Sequence, residues 1–225
     1  MRLAILLLAL VPALSLVPAL ALAELPTDSR FQTARIRYSG GGDWYGDETS
    51  FINLMQGLSE RTTVQCAKKE AVVSLRSNDI FYYPMVTLTG HSTVTFSDDE
   101  AARLRAYLTG GGFLWIDDDY GLDEFIRPQM KKVFPDKEFV ELPATHPVFH
   151  TLYELKDGIP KIHEHHGGPG HAFGLFDKGR LICFYSYNTD IGDGLEDADV
   201  HGDPAEKREA AMQMGINLVM YILSH

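Results

Sequence analysis

Residues 97–119 read SDDEAARLRAYLTGGGFLWIDDD and contain one helix pattern, its end and the strand pattern that follows. Ser97 and Glu100 form a capping box at the start of the helix, and an apolar stripe continues along it. Glycines 110–112 end the helix, and 113–116 is an uninterrupted apolar run. A strand that is apolar on both faces is typical of a parallel sheet covered by helices.

The alternation of strand and helix patterns extends along most of the chain, which predicts an α/β fold class with a mainly parallel sheet. Asp47 and Asp203 are predicted as helix N-caps, and 176–179 as a hairpin turn. Strand patterns lie at 34–38, 71–75, 80–83, 138–142, 172–175 and 180–187, and further helix patterns lie at 51–58, 122–134 and 204–223.

The first residues indicate export. Arg2 is followed by an apolar run, 3–23, that ends in Ala-Leu-Ala. This pattern predicts a secretory signal peptide, residues 1–23, and an exported, periplasmic or extracellular protein. Retention as a membrane anchor is the alternative, because about 20 apolar residues can also span a bilayer. The remainder, 24–225, fits a single domain with no stable membrane span.

Charge and cysteine content limit the class of partner. The formal net charge is −11, which disfavours binding to nucleic acid or to anionic membrane surfaces. Cys66 and Cys183 are the two cysteines of the chain. In an oxidising compartment they can form one disulfide, and the alternative is two buried, inert thiols.

Polar segments that follow predicted strands are the candidate ligand sites, because open α/β sheets bind ligands beyond the carboxyl ends of their strands. Three segments qualify: 40–45, 117–120 and 188–203. The first is a glycine-rich loop that either approaches a ligand or is a mobile turn with a packed tryptophan. The predicted ligand-binding residues are Gly41, Asp43, Trp44, Tyr120, Asp190 and Asp193.

The second and third segments are acidic. Three adjacent carboxylates at 117–119 repel one another, so one can keep a raised pKa or a cation can hold them; the alternative is that one aspartate caps the next helix. Asp197-x-Asp199-x-His201 resembles the start of a calcium loop, but the twelfth position is Arg208 instead of glutamate, which excludes an EF-hand. A looser cation site and a solvated acidic loop remain as alternatives.

The segment KIHEHHGGPGH, 161–171, contains four histidines. A zinc-protease motif would need histidine at 167, where the chain has glycine, so that motif is excluded. If 162–166 is extended, two of the histidines share one face and can chelate a zinc, manganese or calcium ion with a third ligand from elsewhere. The alternative is a hydrogen-bonded histidine cluster. The predicted metal ligands are His91, Asp117, Asp118, His163, His165 and His201.

Several spaced segments together resemble a bacterial family known as domain of unknown function 4159, from about Phe31 to the C-terminus. They are RYSGGGDWY (37–45), TGH (89–91), LRAYL (104–108), GGFL (111–114), DDDYG (117–121), HPVFH (146–150), IHEH (162–165), GRL (179–181), DIGDG (190–194) and VHGDP (200–204). The family looks like a branch of the class I glutamine-amidotransferase-like fold, which implies a flavodoxin-like, three-layer sandwich with helices on both faces. Amidotransferase activity is not implied, because the cysteine elbow is missing.

Three functions are compatible with these patterns. The first is binding of a small ligand or metal ion in a crevice lined by histidine and aspartate. The second is hydrolysis of a carbohydrate or envelope component, with Asp118 or Glu164 as general acid or base and Trp44, Tyr45 or Tyr120 stacking on a sugar. The third is a non-catalytic interaction module with an envelope protein as its partner.

Overall fold

The computed structural model describes residues 30–163 and 167–225, which form a seven-stranded sheet and its covering helices. The strands are β1 (Thr33–Ile36), β2 (Ala71–Val73), β3 (Met85–Leu88), β4 (Phe113–Asp117), β5 (Val140–Glu141), β6 (His171–Asp177) and β7 (Arg180–Tyr187). The helices are α1 (Ser50–Arg61), α2 (Asp98–Thr109), α3 (Asp123–Val133), α4 (Ile191–Leu195) and α5 (Ala205–Ser224).

The strand order is β2-β1-β3-β4-β7-β6-β5. The first five strands in this order run parallel, and β6 and β5 extend the sheet through antiparallel pairing. The order of the parallel part, 2-1-3-4 followed by a fifth strand, is that of flavodoxin-like folds. The predicted α/β class with a mainly parallel sheet is therefore confirmed.

Side chains of β4 alternate between two hydrophobic clusters, one on each face of the sheet. Leu114 and Ile116 pack with helices α2 and α3, and Phe113 and Trp115 pack with α1, α4 and α5. All four side chains are buried. The apolar run at 113–116 thus has the two-sided burial that its composition predicts.

The strand predicted at 80–83 is wrong. Residues Asn78–Tyr82 form a short 3₁₀ helix, with the Ser77 hydroxyl accepting a hydrogen bond from the Asp79 backbone N–H at 3.2 Å. The strand of this region is β3, which follows Pro84 and pairs with both β1 and β4. The aromatic and β-branched residues at 80–83 led to a strand prediction one segment too early. The Ser77 side chain caps this segment instead, and such local hydrogen bonds favour a turn.

The helix caps are only partly as predicted. The capping box of α2 is confirmed: the Ser97 hydroxyl accepts from Glu100 N at 3.3 Å, and Glu100 Oε2 accepts from Ser97 N at 2.7 Å. Asp47 is not the side-chain cap of α1, since only its backbone carbonyl accepts from Ser50 N. Asp203 does not cap α5, which begins after Pro204 without a side-chain cap. In both cases the carboxylate is directed to other partners.

Both cysteines are free thiols. Cys183 is fully buried within β7, and Cys66 is half-buried beyond the end of α1. Burial raises the pKa of both thiols, which disfavours the reactive thiolate. The predicted disulfide is therefore not formed in this structure, and of the two thiols only Cys183 is buried as the alternative expects.

The predicted signal segment, 1–23, lies outside the described residues. Within 30–163 and 167–225, no helix combines the length and the apolar character that crossing a bilayer requires. The long final helix α5 packs several of its apolar residues into the core instead.

Candidate functional site

A cavity of about 270 Å³ lies beyond the carboxyl ends of the parallel strands. Its polar lining consists of three histidines and four carboxylates from five separate segments of the chain. The lining residues are Gly46, Asp47, His91, Asp119, His163, Asp193, Glu196 and His201. The strand order reverses direction between β1 and β3. Flavodoxin-like sheets bind their ligands beyond the carboxyl ends of the strands at this point.

Side chains alternate between the two faces of the sheet along β4, and this alternation separates the three aspartates at its end. Asp117 and Asp119 continue the face that carries Trp115, whereas Asp118 continues the opposite face. Asp118 Oδ1 accepts from Leu122 N at 2.9 Å and from Tyr120 N at 3.2 Å, so this carboxylate holds the turn that leads into α3. Only Asp117 and Asp119 are therefore directed to the side of the cavity.

A chain of hydrogen bonds anchors Asp117 to the core. The buried Trp115 indole donates to the Ser186 hydroxyl at 2.9 Å, and that hydroxyl in turn contacts Asp117 Oδ1. The Gly192 backbone N–H donates to Asp117 Oδ2 at 2.6 Å. These partners fix the orientation of the carboxylate, as supporting residues do around metal ligands.

Asp47 is held by its backbone and by its side chain. The buried Arg35 guanidinium donates to the backbone carbonyls of Gly46 and Asp47, while it also forms an ion pair with Glu70 at 2.9 Å. The Thr89 hydroxyl lies 2.9 Å from Asp47 Oδ2. The Asp47 carboxylate, in the loop that follows β1, therefore contacts the segment that follows β3.

Histidine and acidic side chains meet on the opposite wall of the cavity. His201 Nε2 lies 3.1 Å from Glu196 Oε2 and 3.4 Å from Asp193 Oδ1. His163 Nδ1 lies 3.7 Å from Asp193 Oδ2 and 3.8 Å from Asp203 Oδ1. Among the described residues, Asp203 Oδ2 is a buried oxygen without a hydrogen-bond partner. This wall of the cavity therefore brings three carboxylates and two imidazoles together.

Burial raises the pKa of four aspartates in and beneath the cavity, and the repulsion between them adds to the effect. The pKa of Asp117 rises to about 8 and that of Asp193 to about 6, while those of Asp47 and Asp119 are also raised. Asp117 thus favours its neutral form near pH 7, whereas Asp193 is mostly ionised there. A cation bound among them would favour the ionised forms.

Two overlapping sets of ligand atoms have the spacing of a metal site. One atom from each of Asp47, Glu196 and His201 lies within 4.8 Å of the other two, and the same holds for Asp47, Asp117 and Asp119. Ligand atoms about 2 Å from one ion must lie within roughly this distance of one another. Asp47 belongs to both sets.

The backbone is unusual in the loops around the cavity. Of the six described non-glycine residues with positive φ, five lie in loops at the carboxyl ends of the parallel strands: Asp47, Ser92, Tyr120, Asn188 and Asp190. The φ of Tyr120 is 138°, which is unfavourable for a bulky residue. Such conformations concentrate at functional sites, where the surrounding contacts maintain them.

The structure brings together three of the predicted metal ligands. His91, His163 and His201 line the same cavity, and Asp117 lies directly beneath it. Asp118 is directed elsewhere, as described above. Glu164 and His165 lie outside the described residues.

The predicted ligand-binding residues have different placements. Asp193 lines the cavity. Asp43 holds the lining residue His91, because its carboxylate accepts from His91 N at 2.6 Å and lies 2.9 Å from His91 Nδ1. Asp190 is buried near Asp117, and burial raises its pKa to about 9. Gly41, Trp44 and Tyr120 are exposed or half-buried in the loops that adjoin the cavity.

Sequence patterns did not identify Asp47, Thr89 or Glu196 as site residues. Asp47 had a simpler interpretation as a helix cap, and Thr89 is a neutral residue directly after a strand that was itself missed. Glu196 lies in the acidic tract, where no spacing distinguishes it from its neighbours. The position of Thr89 after β3 would have been the one usable signal.

The fold and this cavity define an α/β protein with an acidic, histidine-containing site at the carboxyl edge of its parallel strands. Residues 32–223 match the family model described as domain of unknown function (DUF4159), and the chain belongs to this family. A comparison with curated proteins finds no match. The relation of this family to the glutamine-amidotransferase-like fold stays a prediction.

Proposed function

We propose that this protein binds a divalent metal ion in the cavity through Asp47, Glu196 and His201. The observation that carries the proposal is the convergence of one ligand atom from each of these residues within 4.8 Å. A set of one imidazole and two carboxylates suits zinc or manganese. Calcium fits less well, since it prefers ligands that are all oxygen.

The electrostatics of the cavity support the same proposal. His201 Nε2 lies beside carboxylate oxygens of both Glu196 and Asp193, so a metal ion can take the place of the proton between them. The raised pKa of Asp193, about 6, reflects burial followed by the charge of Asp47. Metal binding would lower this pKa and release protons as the ion enters.

Metal analysis of the purified protein tests the proposal. The protein is stripped with a chelator and titrated with Zn²⁺, Mn²⁺ and Ca²⁺ by calorimetry, and bound metal is measured by mass spectrometry. We expect Zn²⁺ or Mn²⁺ to bind, and His201→Ala to weaken the affinity at least tenfold. His171→Ala is the matched control, because His171 pairs with Glu141 and is not in the cavity lining.

Two outcomes would contradict the proposal. One is that none of the three ions binds to the stripped protein. The other is that His201→Ala, with an unchanged circular dichroism spectrum, binds metal as tightly as the unaltered protein and the control. A single stable protein partner in a pull-down, without metal and without turnover, would support the interaction module instead.

A second candidate function, hydrolysis of a carbohydrate or related envelope component, is favoured by an aromatic turn beside the cavity. Gly46 N donates to Asp43 O at 2.8 Å, which closes a turn with Trp44 and Tyr45 at its tip. Their rings meet edge to face at 5.7 Å, and Tyr45 is 66% exposed. Exposed aromatic faces of this kind can stack on sugar rings.

In this candidate the cavity supplies the chemistry of hydrolysis. A metal ion would activate a water molecule, and Asp193, with a pKa of about 6, would act as general base near neutral pH. A panel of glycan and ester substrates tests it, and Asp193→Asn should abolish any turnover. Activity that survives Asp118→Asn would remove Asp118 from the mechanism, as its position away from the cavity leads us to expect.

Export is also part of the proposal, and it rests on the apolar N-terminal segment. Fractionation of cells that produce the full chain, followed by mass determination of the mature protein, tests it. We expect a product that begins after Ala23 in the exported fraction. Full-length protein in the cytoplasmic fraction would contradict export.

A further inference from the structure

We propose that the cavity binds two divalent cations bridged by the carboxylate of Asp47. One ion would be held by Glu196 and His201, as in the proposed function on which this inference rests. The other would be held by Asp117 and Asp119 at the floor of the cavity, which Asp119 lines and Asp117 underlies.

Two ions are inferred because the ligand atoms form two sets. Among the described residues, Asp47 is the member common to the two sets of mutually close ligand atoms. The side chains of Glu196 and His201 are not grouped with those of Asp117 and Asp119. One ion with ligand distances near 2 Å therefore cannot use all five side chains.

The contacts of Thr89 show how crowded the oxygens of the second set are. Its hydroxyl oxygen lies 2.9 Å from Asp47 Oδ2, 2.7 Å from Asp119 Oδ1 and 2.8 Å from Asp119 Oδ2. A hydroxyl has one hydrogen to donate, so it can satisfy only one of these three acceptors. The remaining oxygens need a proton or a cation, and a cation satisfies several oxygens at once.

Gly192 permits the close approach of carboxylates from different loops. A Cβ atom at this position would overlap Asp47 Oδ2 and lie 3.1 Å from Asp117 Oδ2. Oxygens of both carboxylates therefore point to the same small space beside the Gly192 backbone. A shared carboxylate and oxygens from two further residues are the usual surroundings of a second ion.

The balance of charge also favours two ions. The five carboxylates Asp47, Asp117, Asp119, Asp193 and Glu196 are all present around the two sets. One divalent cation offsets two of their negative charges, whereas two offset four. The set of Asp47, Asp117 and Asp119 consists of oxygen ligands alone and suits Mn²⁺, Mg²⁺ or Ca²⁺. The set that contains His201 also suits Zn²⁺.

The number of bound Mn²⁺ ions and their magnetic coupling test this inference. The stripped full-length protein is equilibrated with Mn²⁺, bound metal is measured by mass spectrometry, and electron paramagnetic resonance is recorded. We expect two Mn²⁺ per chain and an exchange-coupled spectrum, because bridged ions lie roughly 3.5–4 Å apart. Asp117→Asn should reduce the number from two to one and remove the coupling.

Asp118→Asn is the matched control for this experiment. It changes the adjacent buried carboxylate, whose oxygen is directed to Leu122 N, and two coupled ions should remain. If Asp117→Asn does not fold, Asp119→Asn serves the same purpose.

The outcomes separate this inference from the proposed function. One Mn²⁺ per chain in the unaltered protein would overturn the two-ion inference and leave the proposed function intact. Two ions that persist in both floor variants would also overturn it. If Mn²⁺ does not bind, the two-ion inference fails, and the proposed function fails with it only if Zn²⁺ and Ca²⁺ do not bind either.

Discussion

The metal-stripped protein should become less stable as the pH rises from about 4 to about 8. Asp117 is 1% exposed, and its carboxylate accepts from Gly192 N at 2.6 Å. Burial nevertheless raises its pKa from 3.8 to about 8. Because the folded state then holds this proton more tightly than the unfolded state, the free energy of unfolding falls throughout this interval.

The expected size of the effect follows from the two pKa values. At about 1.4 kcal/mol for each pH unit, the proton that the folded state retains on Asp117 lowers the free energy of unfolding by roughly 5 kcal/mol between pH 4 and pH 8. Domains are stable by only about 5–15 kcal/mol, so the loss is large. Bound metal should offset about half of it, because an ion at 100 times its dissociation constant adds about 2.7 kcal/mol. The gain should be small at pH 5, where protons compete for the carboxylates.

Urea unfolding of the stripped protein between pH 4 and pH 9, followed by circular dichroism, measures the slope of the free energy of unfolding against pH. Asp117→Asn should make the slope shallower and raise stability at pH 8, and the slope that remains comes from other buried carboxyl groups with a raised pKa, such as Asp119 and Asp190. The amide can still accept from Gly192 N, and the Ser186 hydroxyl can turn toward Ile116 O at 3.1 Å. Asp136→Asn, at an exposed carboxylate, is the control and should leave the slope unchanged. A slope that Asp117→Asn does not alter would refute this reasoning.

Three further predictions concern other parts of the structure. Gly192→Ala should weaken Mn²⁺ binding at least tenfold in calorimetry, because the new Cβ overlaps the Asp47 carboxylate, whereas Gly167→Ala meets no atom of the described residues within 4 Å and should bind normally. Ser97→Ala should lower the free energy of unfolding by about 1 kcal/mol in urea, through loss of the capping bond to α2. Cys183 should react with a thiol reagent only in denaturant, since it is fully buried; rapid reaction of both cysteines in the native protein would contradict its placement.

Much of the fold was predictable from local patterns. The capping box at Ser97, the glycines at 110–112 and the two-sided apolar run after them specify a helix followed by a buried strand, and the structure has both. The central strand β3 was missed because it has only four residues and follows a proline. Its strand character depends on pairing with β1 and β4, which no local pattern contains.

The candidate site was predictable in part. Placing ligands after strand ends pointed to Asp117 and the acidic tract, and the structure gathers members of both at one cavity. His91 was predicted as a further ligand for the histidine segment, and it lines the same cavity. Strand alternation alone could have separated Asp118 from Asp117, because neighbouring residues face opposite sides of a sheet. Asp47 could not be found this way, since its position depends on Arg35 and Thr89, which are distant in sequence.

The hydrogen-bond chain from Trp115 to Asp117 makes the indole an optical reporter of the site. The chain has two tryptophans, and they differ in surroundings: Trp115 is fully buried behind Ser186, whereas Trp44 is half-buried at the tip of the aromatic turn. Emission from Trp115 should therefore respond to an ion on the cavity floor, and emission from Trp44 to a ligand at the rim. With Trp44→Phe and Trp115→Phe, fluorescence can follow the two ends of the cavity separately without any added label.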